Sequence, residues 1–248
     1  MNISSHIQAS AVALVLAFAI PGAASAAHLQ AAPIMLELQA SQNAEALWLT
    51  NPGDTPLQAQ IRVYRWTQVS GEDDLAHTTE LLATPAMISV PAGERQMIRM
   101  IRTQNSPTAG DSELAYRVVV DEIPTDAQAA GVQFAVRYSI PVFVHTQKQS
   151  DTASPMLVWN VMQKDAKIFL QANNTGHTRA QIIDVKFTPA NGKPIVLTPG
   201  LYGYALAGST RIWQLEEHGK VMLAGGTIDA KINQQPQQFV IPAAKKSP

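Results

Sequence analysis

The sequence predicts an all-β protein made of two antiparallel sandwiches, and three observations carry that reading. Short runs rich in branched and aromatic residues recur from residue 46 to residue 241, each bounded by turn residues. No stretch sustains a helical period, which argues against α/β folds and the cofactor crevices they build. A polar, aperiodic segment at 145–155 splits the runs into two groups. Composition agrees, because 46% hydrophobic against 15% charged residues supplies a packed core, whereas disordered chains are poor in apolar residues and rich in charge.

The first 26 residues stand apart from the fold. Residues 11–20 are an apolar run, broken by Pro21 and Gly22 and followed by Ala24-Ser25-Ala26. That is the order of a secretory signal peptide with a small-x-small cleavage site, although no Lys or Arg precedes the run, only His6 and the terminal amine. A buried N-terminal helix is the other reading. Cleavage after Ala26 would carry the mature chain out of the cytoplasm, and the localisation expected is the periplasm. No later segment approaches the length of apolar chain that spans a bilayer, so no membrane insertion is expected.

The first sandwich is expected over 27–147. Its runs are 46–50, 60–66, 96–102, 113–122 and 132–144, with turns at Asn51-Pro52-Gly53-Asp54, Ser70-Gly71-Glu72-Asp73, Pro91-Ala92-Gly93 and Ser106-Pro107. A linker follows at 148–155. The second sandwich is expected over 156–248, with runs at 157–162, 168–172, 181–188, 211–215, 227–232 and 238–241. Its turns fall at 173–176, Asn191-Gly192, Pro199-Gly200 and Gly225-Gly226. No repeat of solenoid length is visible.

Charge and motif content exclude most chemistry. The 18 basic and 19 acidic side chains leave a net charge of −1, without the basic stripe that phosphate neutralisation requires, so no nucleic-acid partner is expected. The absence of Cys removes disulfides, thiolate metal sites and thiol catalysis. His residues at 6, 28, 77, 145, 177 and 218 have no i, i+2 or i, i+4 pair to converge on a metal. Gly110-Asp111-Ser112-Glu113 matches the serine block of an esterase superfamily. Its D-x-x-H counterpart, Asp74 to His77, lies upstream, in the wrong order for that fold. Trp48, Trp66, Trp159 and Trp213 each sit inside an apolar run and read as core. No catalytic residue, metal or cofactor is expected, and the protein is not expected to be an enzyme.

The feature left over is the run at 132–144. Val132, Phe134, Val136, Tyr138, Ile140 and Val142 occupy every second position and so share one face. Between them lie Gln133, Ala135, Arg137 and Ser139, and then Pro141, which has no N–H for a ladder and belongs at an edge or bulge. A last strand packed on its own sandwich is the plain reading. A long edge with a continuous apolar face is also an aggregation hazard unless another chain occupies it. The pattern favours a strand offered for pairing.

Four blocks in order resemble the periplasmic pilus-assembly chaperones, a sandwich family that includes PapD. They are Leu47-Trp-Leu-Thr-Asn-Pro-Gly53; residues 84–93 followed by Gln96-Met-Ile-Arg99; residues 111–124, ending in Ile123-Pro124; and 134–144, where the family has its donor strand. The resemblance implies two immunoglobulin-like β-sandwich domains set at an angle. It implies a chaperone that lends a strand to a pilus subunit whose own fold is incomplete, then delivers it to an outer-membrane usher. Val132, Phe134, Val136 and Tyr138 would enter the subunit's groove, with Ile140 and Val142 turned to the chaperone's own core. No nucleotide or metal is implied.

Departures from the best-known branch are informative. That branch clamps the subunit's terminal carboxylate with an Arg in the first strand and a Lys late in the donor strand. Here 31–38 contain no Arg, the Lys position falls on Pro141, and the signature Asn falls on Val119. The runs 62–66, 116–122 and 137–143 are instead similar to the archaic branch serving spore-coat-U-type subunits. The anchoring cations would then be Arg62 first, Arg137 second, or Arg65 or Lys148. An interdomain ion network would join Arg99, Glu113 and Glu217, with Glu216 as a substitute for the last. The rival function is an extracytoplasmic carbohydrate- or surface-binding tandem sandwich.

Overall fold

A computed structural model describes residues 28–104, 112–124, 135–145 and 154–244. In chain order the first half forms β1 (Gln30–Ala32), β2 (Leu36–Leu38), β3 (Ala44–Thr50), β4 (Leu57–Val69) and β5 (Glu72–His77). It continues with β6 (Leu81–Thr84), β7 (Met87–Val90), β8 (Arg95–Arg102), β9 (Leu114–Ile123) and β10 (Arg137–Val144). One sheet has the order β1-β3-β8-β6, and the other β2-β10-β9-β4-β5, with β7 also on β4. The second half forms β11 (Leu157–Lys164), β12 (Lys167–Asn174), β13 (Ala180–Pro189), β14 (Ile195–Ala205) and β15 (Thr210–Leu215). A short α1 (Gly219–Met222) precedes β16 (Gly226–Ile232) and β17 (Gln235–Ile241). Its sheets are β11-β12-β15 and β14-β13-β16-β17. The protein is thus two β-sandwiches.

Period-two alternation builds each core. Leu47, Leu49, Ile98 and Met100 of one sheet meet Ile61, Tyr116, Val118, Val120, Ile140 and Val142 of the other, all buried. Each such side chain is worth roughly 1.5–3 kcal/mol. The second core gathers Trp159, Leu170, Ile182, Phe187 and Ile228 in the same way.

Each sandwich closes a corner with a buried Asn. Asn51 Nδ2 donates to the carbonyls of Thr55, Val90 and Pro91, and its Oδ1 accepts from Gly53 N at 2.9 Å. Asn174 Nδ2 donates to Thr178, Ala205 and Leu206 carbonyls, and its Oδ1 accepts from Met156 N and Gly176 N, each at 3.0 Å. A Cβ on Gly176 would lie 2.7 Å from Met156 N and Ser154 O, so this corner requires glycine.

Several elements differ from the sequence reading. β5 is exposed at every position and carries Glu72, Asp73 and Asp74; hydrogen bonding to β4 makes it a strand, not its own pattern. Pro199-Gly200 is not a turn but an irregularity inside β14, where the register against β13 shifts and Gly200 takes φ 79°. Trp66 and Trp159 are buried. Trp48 instead faces outward, half-buried beneath the Arg95 guanidinium 4.5 Å from its ring, because Leu47 and Leu49 take the inward positions. Trp213 packs half-buried at the margin of the second core.

Candidate functional site: an open strand edge beside the interdomain cleft

β10 pairs with β9 along its whole length, from Arg137 opposite Asp121 to Val144 opposite Leu114. On its other side β2 runs parallel to it but reaches only Val142–Val144. Among the described residues, Arg137 to Pro141 therefore form an open edge. Glu122 N donates to Val136 O at 3.0 Å, and His145 N donates to Leu38 O at 2.9 Å. Even-numbered residues thus turn their main-chain groups toward β9, and odd-numbered ones turn theirs outward. Arg137 and Ser139 offer N–H and C=O at the edge. Pro141 offers only a carbonyl, and its missing N–H takes nothing from the β9 ladder.

The side chains alternate in the same sense. Ile140 and Val142 are buried in the first core, and Tyr138 packs half-buried against it while its hydroxyl donates to the Leu29 carbonyl at 2.6 Å. Tyr138, expected in a partner's groove, is therefore engaged by its own domain. Val136 is half-buried at the strand's approach. Val132 and Phe134 lie outside the described residues.

The opposite face of this sheet looks into the cleft between the sandwiches. Arg62 of β4 and Arg137 of β10 stand on either side of β9, and Asp121 of β9 bridges them. Arg62 Nη2 donates to Asp121 Oδ2 at 2.5 Å, and Arg137 Nε donates to Oδ1. Burial pushes the Asp121 carboxyl up, but hydrogen bonds from Arg62 and Arg137 outweigh it and hold the group below its ordinary value. Arg65 donates to Glu80 Oε2 and to the Tyr116 hydroxyl, each at 3.0 Å. Burial, then donation to Glu80, pushes that hydroxyl up to about 12. The three arginines expected as anchors thus each meet an internal carboxylate, and Lys148 lies outside the described residues.

Arg117, not singled out by the sequence, behaves differently. It lies opposite Pro141, its guanidinium 3.8 Å from the Trp66 ring centroid, and its Nη1 donates to the Ser139 carbonyl at 3.4 Å. Among the described residues it has no ion-pair partner. Burial lowers its pKa.

The interdomain ion network forms, but around other residues than expected. Glu113, just before β9, accepts from Arg179 Nη1 at 2.6 Å and from Arg179 N at 3.1 Å. Arg179 Nη2 donates to Glu37 of β2, and His145 Nδ1 lies 3.3 Å from Glu113. The Arg179 guanidinium also stacks 3.9 Å from the Phe143 ring centroid. Of the expected trio only Glu113 takes part. Arg99 is exposed on the outward face of β8, because Ile98 and Met100 point inward. The Glu217 side chain is 89% exposed, with its carboxylate 3.9 Å from His218 Nε2.

Three further sets of contacts join the sandwiches. Trp66, Ala115 and Phe143 pack with Tyr204 and Leu206 of the second domain. The β4–β5 turn reaches β15, where Ile212 N and Arg211 Nη1 donate to the Gly71 carbonyl at 2.9 and 2.6 Å. The Gln68 side chain donates to Tyr204 O at 2.8 Å and accepts from Leu206 N at 2.9 Å. Among the described residues there is no group of three His, Asp or Glu able to hold a metal, and no helix long and apolar enough to cross a membrane.

Glu37 gives this joint a pH dependence. A hydrogen bond from His145 holds its carboxyl down, opposed by burial and aided by Arg179, and the result is about 2 against an ordinary 4.5. A carboxylate depressed in the fold contributes stability that is complete above about 4.5 and is lost as pH falls through about 2. Thermal melts from pH 5 down to pH 2 should therefore show a shallower decline for Glu37→Gln than for the parent. Superimposable slopes would remove Glu37 from the acid response.

Two β-sandwiches joined at a packed interface, with an open strand edge at that junction, define the architecture. Residues 28–149 match the family described as "Pili and flagellar-assembly chaperone, PapD N-terminal domain". The first sandwich is therefore similar to the N-terminal domain of that family. Among solved structures it is similar to the CsuC–CsuE chaperone–tip subunit pre-assembly complex from archaic chaperone-usher Csu pili of Acinetobacter baumannii. That likeness has 24% identity and a TM-score of 0.70, over 89% of this chain and 100% of the other. It is also similar to the chaperone YadV, at 16% identity and TM-score 0.61 over 86% and 98% of the two chains. The Pseudomonas aeruginosa chaperone CupB2 matches at 17% identity and TM-score 0.55, over 85% and 97%. At these identities the likeness is one of fold. Comparison with curated proteins finds no match.

Proposed function

We propose that the protein is a periplasmic chaperone of a chaperone-usher pathway, of the archaic branch. In this reading it pairs β10 with an incomplete pilus subunit and passes that subunit to an outer-membrane usher. The signal-like residues 1–26 and the domain bounds read from the sequence belong to the same proposal. The observation that carries it is the open edge from Arg137 to Pro141, which offers main-chain donors and acceptors without breaking the strand's own ladder. Strand addition draws affinity from those bonds and register from alternate side-chain pockets. An incomplete sandwich exposes an apolar groove and free edges, and would aggregate unless they were covered. Folding and burial supply the energy.

The test is co-expression with a secreted pilus subunit, which should yield a stable complex. Ser139→Pro removes one outward N–H while sparing every bond to β9, at a position where edge proline is tolerated. One hydrogen bond, worth about 1 kcal/mol, should weaken subunit binding roughly fivefold at unchanged chaperone melting temperature. Unaltered affinity would mean that the edge is not where the subunit pairs.

A further inference from the structure

We propose that Asp121 is a positioning residue for strand pairing: it fixes Arg137, and with it the first main-chain donor and acceptor on the open edge. This deepens the strand-pairing reading and rests on it. The main chain leaves Arg137 in need of such a tie. Its N–H and C=O point away from β9, because the bonds between the two strands run through its even-numbered neighbours, as from Glu122 N to Val136 O at 3.0 Å. Among the described residues no second strand covers that side, since β2 begins only opposite Val142. The groups that a partner strand would meet first are therefore ones that the protein's own ladder does not hold.

The side chains supply the tie. Arg137 lies directly opposite Asp121, in a pair without main-chain bonds, where side chains come closest. Its Nε donates to Asp121 Oδ1, and Arg62 Nη2 on β4 donates to the other oxygen at 2.5 Å. One carboxylate thus braces three neighbouring strands, and it cannot turn from Arg137 without losing Arg62. The Asp121 side chain is 17% exposed, so water competes little for it. Burial raises its carboxyl, but the two donations outweigh burial and keep the group ionised. Ser139 and Pro141, the next outward-turned residues of the edge, lie opposite Val119 and Arg117 and meet no carboxylate across the ladder. An edge held in its paired conformation before a partner arrives spares that partner the cost of ordering it.

The test uses the full-length protein and a co-expressed pilus subunit. Asp121→Asn keeps the shape of the side chain and removes its charge. It should weaken subunit binding roughly three- to tenfold, while the melting temperature stays within about 4 °C of the parent. Hydrogen exchange of the free protein should quicken at the Tyr138 amide, next to the tie, and stay unchanged at Val142. Asp121→Glu should recover part of the binding. In an Arg137→Met background, Asp121→Asn should cost nothing more, because the tie is already gone. Parental affinity in Asp121→Asn, or a full further loss in the Arg137→Met background, would overturn the assignment. Such a result beside a weakened Ser139→Pro would leave strand pairing intact. Parental binding by both Asp121→Asn and Ser139→Pro would remove the pairing reading, and this one with it.

Discussion

Phe134→Asp combined with Val136→Asp is expected to abolish recovery of a co-expressed pilus subunit while leaving the chaperone folded. The sequence alternation assigns both to the face of Tyr138 and Ile140, of which Ile140 is buried in the first core and Tyr138 half-buried against it. Val136 is half-buried just before β10 begins. Each apolar side chain seated in a groove contributes roughly 1.5–3 kcal/mol, so losing two should weaken binding by about two to four orders of magnitude. Circular dichroism and melting of the purified double variant check folding, and subunit yield checks binding. Undiminished yield would move the pairing surface elsewhere.

The second large effect is expected from Arg179→Ala. Its side chain is 11% exposed, and it faces Glu113, whose side chain is 2% exposed, together with Glu37. Removing the cation leaves two carboxylates turned toward each other at the joint, and breaking a buried pair in this way costs about 3–5 kcal/mol. For a chain of this size that amounts to a fall in melting temperature of about 6–20 °C. Small-angle scattering should show a wider spread of domain orientations, because Arg179 also covers Phe143. Arg99→Ala is the control, and an exposed residue of this kind should shift stability by no more than about 0.5 kcal/mol. Equal effects of the two substitutions would mean that Arg179 does not hold the joint.

The fold was largely legible because its determinants are local. Alternation placed β3, β4, β8 and β9, and the Asn-x-Gly corners at Asn51 and Asn174 marked where each chain reverses. β5 was not legible, since a strand of exposed acidic residues is specified by its partner and not by itself. β1 and β2 are three residues each, too short for periodicity to register. The site divided along the same line. Proline chemistry marked Pro141 as an edge residue within one strand. Arg179 and Glu113 are separated by 66 positions, and nothing in either neighbourhood signals the other. Asp121 and Arg117 escaped notice because outward charges on a strand ordinarily face water, and only the placement of β4, β10 and the second sandwich shows that these two do not.

The aromatic contact between the sandwiches has a kinetic consequence. Trp66 lies in the first domain, but part of its cover is Tyr204 and Leu206, more than a hundred positions later in the chain. As the polypeptide emerges, the first sandwich can collapse on its own core, yet one face of its largest sheet stays uncovered until the last third of the chain arrives. Contacts of such long sequence separation are late and slow to close. Maturation of the two halves is therefore coupled, and the final event is docking rather than collapse. A refolding experiment should record it as a slow change in Trp66 fluorescence after the backbone signal has reached its native value.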